Sequence, residues 1–113
     1  IRDAKINAKL NQIDNIDFVC SDAASYAKKL EKQGKKPDVV VVDPPRKGCD
    51  DLTLDSIVKM QPKRIVYVSC DPATLARDIK KLDEKGYAAQ VVQPVDMFPF
   101  SFHVESIVLL QKR

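Results

Sequence analysis

Four consecutive valines, Val39 to Val42, stand between Asp38 and the segment Asp43-Pro44-Pro45. A β-branched run without polar alternation is the pattern of a parallel strand buried on both faces. Parallel strands need long crossovers, so helices are expected before and after it. Residues 2–11 read as a helix, with Ala4, Ile6, Ala8 and Leu10 at helical spacing. Residues 16–20 (IDFVC) read as a short strand, and Ser21 or Asp22 caps a helix over 23–33 that Gly34 ends. After the valines, Asp50 or Asp51 begins a helix to Met60, closed by Pro62. A strand over 65–69, a helix over 72–85 ended by Gly86, and a strand over 87–92 follow. A Pro-rich loop over 93–101 leads to a last strand over 102–111. No helix separates the final two strands, so they should pair antiparallel. The expected order α-β-α-β-α-β-α-β-β is an α/β sheet with an antiparallel end.

Composition narrows the class. With 113 residues the chain reads as one domain, 1–113, long enough for a real core. It is 44% hydrophobic and 31% charged, without an apolar run of membrane-spanning length. The opening IRDAKINAKL is charged throughout, unlike a signal peptide. Three cysteines without Cys-x-x-Cys spacing argue against a disulfide framework or metal site and fit a reducing cytoplasm. A net charge of +3 is compatible with nucleic acid but diagnoses nothing. Gly34, Gly48 and Gly86 are the only glycines, so the chain has no Gly-x-Gly cofactor loop. A doubly wound nucleotide-binding domain begins with a strand and such a loop. This chain begins on a helix, and the expectation is a larger fold without its front end.

The residues able to carry chemistry cluster at predicted strand ends. In PKRIVYVSCDPATL (residues 62–75) an apolar β run ends at Ser69-Cys70, and Asp71-Pro72 opens a helix. Asp71 is a favoured N-cap, and Pro72 fits the first helical position. Cys70 therefore lies at the carboxyl end of a strand, where ligands bind in open α/β sheets. A free thiol near pKa 8.5 is only about 3% thiolate at pH 7, and a helix N-terminus favours the charged form. Cys70 is thus either a nucleophile or a small hydrophobe closing a strand. Asp43 ends the valine run, where it faces a ligand or simply forms an Asp-Pro turn. Asp22 occupies the equivalent place after the first strand and is equally explained as a helix N-cap. Alternation sets His103 and Glu105 on one strand face, and an acid in so apolar a strand is costly unless paired or poised as a base. Cys20 reads as core and Cys49 as an exposed loop residue. Arg46 and Lys47 suit phosphate or a solvated loop. The turn Met97-Phe98-Pro99-Phe100 suits either base stacking or packing over the sheet end. A cysteine, a glutamate and an aspartate at strand ends suggest covalent catalysis with a separate base.

Three motifs in order go further. DPPRKG (43–48), YVSCDPATLARD (67–78) and DMFPFSFHVESIVLL (96–110) resemble the carboxyl-terminal part of the RNA (uracil-5-)-methyltransferases, as does the opening NAKLNQIDNIDFVCSDA. The resemblance covers essentially all 113 residues, and SCDPATLARD is its most specific element. It implies a partial Rossmann-like methyltransferase sheet with its first two strands missing. It also implies methyl transfer from S-adenosylmethionine to carbon 5 of uridine in transfer or ribosomal RNA. By this resemblance Cys70 is the nucleophile at carbon 6, and Glu105 removes the carbon 5 proton. Asp43 lines the cofactor and target-base site and Asp22 contacts the adenosine; by residue type alone, Arg46, Phe98 and His103 are the candidates for contact with substrate. Phe100 departs from the pattern, standing where the family carries a polar residue. Without the Gly-rich loop, the 113 residues alone are expected to bind cofactor poorly and to methylate nothing. The 16–20 strand then needs a new neighbour, by rearrangement or by dimerisation through an unpaired strand edge. Two other classes stand beside this one: a non-catalytic α/β binding or assembly module, and an Asp-Pro-Pro methyltransferase acting on amino groups, which needs no thiol.

Overall fold

The structure, a computed structural model, describes residues 1–97, 100–101 and 104–113. Its elements are α1 (Arg2–Leu10), α2 (Ala23–Lys32), β1 (Val39–Val42), α3 (Asp51–Lys59), β2 (Arg64–Ser69), α4 (Pro72–Glu84), β3 (Tyr87–Val95) and β4 (Glu105–Lys112). The strands form one sheet in the order β1-β2-β4-β3, with β1 parallel to β2 and both flanks of β4 antiparallel. The last strand therefore inserts beside β2 and pushes β3 to the edge. Pro94 is tolerated in β3 because an edge strand has a side with no ladder to maintain.

Local chemistry explains the helix starts. The Asp22 carboxylate accepts from Ser25 N–H at 2.8 Å, and Asp50 accepts from Thr53 N–H at 2.8 Å. Asp71 accepts from Ala73 and Thr74 N–H at 2.9 and 3.3 Å, with Pro72 in the first turn. Each cap satisfies helix donors that lack an intrahelical partner and is worth ~1 kcal/mol.

Among the described residues the core packs on one face of the sheet. Val40, Val42, Ile65, Tyr67, Val108 and Leu110 share that face by register, against Leu54 and Ile57 of α3, its C-cap Met60, and Leu75 and Leu82 of α4. Fully burying one such side chain contributes ~1.5–3 kcal/mol. Tyr87 ties the base of the sheet to the end of α3, donating its hydroxyl to the Pro62 carbonyl at 2.6 Å.

Four expectations are corrected. The valine run is not buried on both faces: Val39 and Val41 are 46% and 63% exposed, while Val40 and Val42 are half-buried. The reason is position, since β1 is an edge strand with helices packed on one side only. Residues 16–20 form no strand; they lie outside the sheet, and α1 before them buries no residue. The order is accordingly α-α-β-α-β-α-β-β. Cys20, read as core, is exposed on that segment, whereas Cys49, read as exposed, is buried among the side chains of α3 and α4.

Candidate active site

The carboxyl ends of β1 and β2 and the start of β4 meet at one end of the sheet. Ser69 pairs with Ser106 as the last rung between β2 and β4. Cys70 follows that rung on the β2 side, and Glu105, the first residue of β4, precedes it on the other. Val42 pairs with Tyr67, so Asp43 follows at the level of Val68 in the neighbouring strand. Cys70 and Glu105 are half-buried and Asp43 is exposed. Glu105 lies on the strand face opposite Ser106, which is buried on the helix side.

The turn that carries Cys70 is braced on both sides. The Ser69 hydroxyl accepts from Asp71 N–H at 3.0 Å and donates to the Asp71 carbonyl at 2.9 Å. Asp71 in turn caps α4. The backbone around Cys70 is thus fixed by a strand before it and a capped helix after it.

Asp43 opens a loop that forms one wall of a cavity of about 460 Å³. Asp22, Ala23 and Ala24 at the start of α2 form the other wall, with Val41 and Val42 between. The size falls in the ~300–1,000 Å³ range of small-molecule sites. Three carboxylates, Asp22, Asp43 and Asp50, against the single cation Lys47 over an apolar floor suit a cationic, partly apolar ligand. Asp22 caps α2 and also lines the cavity. Hydrogen bonds from Ser25 hold its pKa below the usual carboxylate value. Arg46 and Lys47 are exposed on the loop. Phe98 and His103 lie outside the described residues. Phe100 is fully exposed with φ +63°. Among the described residues no three His, Cys, Asp or Glu side chains converge as a metal site requires.

Sequence reasoning missed a buried polar centre below this site. Asp78 of α4 is 0% exposed, accepting from the Tyr67 hydroxyl at 2.5 Å, Cys49 N–H at 2.8 Å and Arg77 Nε at 3.0 Å. Burial pushes the Tyr67 hydroxyl pKa up, and it pushes the Cys49 thiol up to about 11. Cys49 is therefore a neutral thiol at physiological pH and no rival nucleophile. The available signal was an acid in the apolar stripe Leu75–Asp78–Leu82, a pattern that demands buried donors.

The sheet order is that of a Rossmann-like methyltransferase fold. Within that class the chain belongs to the tRNA (uracil-5-)-methyltransferase family, whose model matches residues 1–113. Relatives named as uncharacterized RNA methyltransferases from Bacillus cereus and Clostridium acetobutylicum are each 55% identical over 112 residues, covering 99% of this chain and 24% of theirs. The crystal structure of the Pyrococcus abyssi tRNA (uracil-54, C5)-methyltransferase in complex with S-adenosyl-L-homocysteine is 35% identical, with a TM-score of 0.76 over 97% of this chain and 26% of that one. A precorrin-6y C5,15-methyltransferase from Geobacter metallireducens shares the fold alone, at 17% identity and a TM-score of 0.66, over 96% of this chain and 60% of that one. The chain spans about a quarter of the length of the curated relatives it matches. No helix among the described residues is long and apolar enough to cross a membrane.

Proposed function

We propose that the protein containing this chain methylates carbon 5 of uridine in transfer or ribosomal RNA through a covalent adduct on Cys70. One observation supports the reading: Cys70 and Glu105 each lie one residue beyond the last β2–β4 pair, Ser69–Ser106, at the sheet end where Asp43 lines a cavity. The cavity walls fit a sulfonium cofactor, with Asp22 toward its adenosine and Asp43 toward the reacting end and the target base. When bound, S-adenosylmethionine supplies a methyl group attached to a positively charged sulfur. The Cys70 thiolate adds to carbon 6 of uracil, and the electron pair of the ring double bond moves onto carbon 5 and its neighbouring carbonyl. Carbon 5, now nucleophilic, would accept the methyl group that a bound cofactor supplies, the carbon–sulfur electron pair staying with the departing thioether. Glu105 then accepts the carbon 5 proton, the ring double bond re-forms, and the Cys70 thiolate departs. The target base must leave its stack to reach the site, at a cost of a few kcal/mol. Arg46 meets RNA phosphate, and Phe98 and His103 contact the extruded nucleotide. An RNA substrate and three cysteines without Cys-x-x-Cys spacing fit a cytoplasmic setting.

The 113 residues form the carboxyl-terminal part of a larger methyltransferase domain and by themselves transfer no methyl group. The open edge of β1, with exposed Val39 and Val41, supports this, as does the lack of a Gly-rich loop in the sequence. That edge takes its neighbour from the longer polypeptide, or from a second copy of this chain when the rest is removed. Calorimetry of the 113-residue chain with S-adenosylmethionine tests the first point, since micromolar binding contradicts it; its sedimentation tests the second.

The mechanism is tested on the full-length protein with 5-fluorouridine RNA and S-adenosylmethionine. Fluorine cannot leave as a cation, so the adduct accumulates and mass spectrometry maps it. An adduct on Cys70 that is lost in Cys70→Ala is the expected result. No adduct despite verified cofactor and RNA binding returns Cys70 to a structural role.

A further inference from the structure

The second half of the SCDPATLARD motif does no chemistry in the mechanism above, yet it grips the loop that follows Asp43. Pro45 to Gly48 form a turn closed by a Gly48 N–H to Pro45 carbonyl bond of 2.9 Å. Three side chains of α4 reach it from a single helix face, at spacing i, i+3, i+4. The Thr74 hydroxyl donates to the Arg46 carbonyl at 2.7 Å, and Arg77 Nη2 donates to the Lys47 carbonyl at 2.7 Å. Asp78 accepts the next amide, Cys49 N–H. Gly48 makes the close approach possible: at φ +79° it is left-handed, and a Cβ there would lie 2.5 Å from both Arg77 Nη2 and Asp78 Oδ2.

The same helix begins two residues after Cys70. The α4 N-terminus holds the nucleophile's turn, and its next turn holds the wall that carries Asp43, Lys47 and Gly48. We propose that Thr74, Arg77 and Asp78 are positioning residues that fix the Asp43–Gly48 wall of the cavity against Cys70. They touch neither substrate nor cofactor and act through three backbone groups of the loop. The proposal rests on the reading that Asp43 and Cys70 serve one reaction, because only then does their relative placement set a rate.

Thr74 gives the cleanest test, since Thr74→Val keeps shape and removes one donor, while Thr74→Ser keeps the donor. In the full-length protein, amide hydrogen exchange at residues 46–49, thermal unfolding, kcat and KM are read for both variants. Thr74→Val is expected to speed loop exchange by on the order of tenfold and lower kcat by ~10- to 100-fold, with KM for RNA nearly unchanged and the melting temperature close to the parent's. Thr74→Ser is expected to restore both. Arg77→Met gives a second route to the same loop signature. Loop exchange at the parent's rate in Thr74→Val and Arg77→Met overturns the clamp, and so does an equal loss of kcat in Thr74→Ser. A parent that forms no 5-methyluridine overturns the functional reading instead, and loop exchange, which needs no turnover, still decides the clamp.

Discussion

Cys70 and Glu105 each lie one residue beyond the Ser69–Ser106 pair that closes the β2–β4 ladder, Cys70 after β2 and Glu105 as the first residue of β4. An acid so placed is needed after methyl transfer, when the carbon 5 proton must leave before the thiol can be released. Glu105→Gln keeps the shape and removes the base. In the full-length protein it is expected to stall after methyl transfer, so a covalent complex builds up on ordinary, fluorine-free RNA. Turnover should fall by ~100-fold or more, within the range for loss of a general base. Denaturing electrophoresis detects the complex, and Cys70→Ala in the same background abolishes it. Free turnover in Glu105→Gln assigns the proton to another group.

Much of this site was legible in the sequence, because strand ends and helix starts are written locally. Asp71-Pro72 announces α4 through cap chemistry alone, and the end of β2 at Ser69 follows from it. What the sequence hid was decided by neighbours. Val39 and Val41 have the composition of a doubly buried strand, yet whether they are covered depends on what lies beside β1. Residues 16–20 have strand-forming side chains but no partner strand, and a strand without a ladder leaves its backbone groups to water. Asp78 and Cys49 lie 29 residues apart and are joined by one buried hydrogen bond that no local pattern displays.

Val41 offers a test of the larger domain. It is 63% exposed in this chain, so Val41→Lys should change the stability of the isolated 113 residues by no more than ~0.5 kcal/mol. In the full-length protein, where β1 is proposed to gain a neighbour, the same change buries an unpaired ammonium beside the sheet. A loss of ~3 kcal/mol or more is then expected. Urea unfolding of the two proteins side by side makes the comparison, and equal tolerance in both contradicts the proposed burial of β1.

Gly48→Ala asks how tightly α4 holds the loop. The substitution places a methyl group in left-handed backbone and within 2.5 Å of Arg77 Nη2 and Asp78 Oδ2. Backbone strain and overpacking together should cost roughly 2–5 kcal/mol unless the loop withdraws. Withdrawal is the cheaper response, at the expense of the Cys49 N–H to Asp78 bond. The expected result is lowered stability in urea titration with S-adenosylmethionine binding weakened at least tenfold by calorimetry. Unchanged binding would show that the cavity wall tolerates movement.

The buried thiol of Cys49 gives the protein an alkaline weakness with a definite sign. Burial, the largest cause, raises its pKa from an ordinary 9.0 to about 11, with the charges of Asp78 and Asp50 adding to the rise. The folded state therefore keeps a proton that the unfolded chain releases between those values. Stability from this group is complete below pH 9 and is lost as pH rises through about 11. Two pH units correspond to at most ~3 kcal/mol. Tyr67, also raised by burial, pushes in the same direction once the pH passes its ordinary value of 10.0. The melting temperature of the full-length protein should fall between pH 8.5 and 10.5, and in Cys49→Ala it should fall less, because one of the linked protons is gone. Parallel curves for parent and variant would assign the alkaline loss to Tyr67, Tyr87 and Lys85 instead.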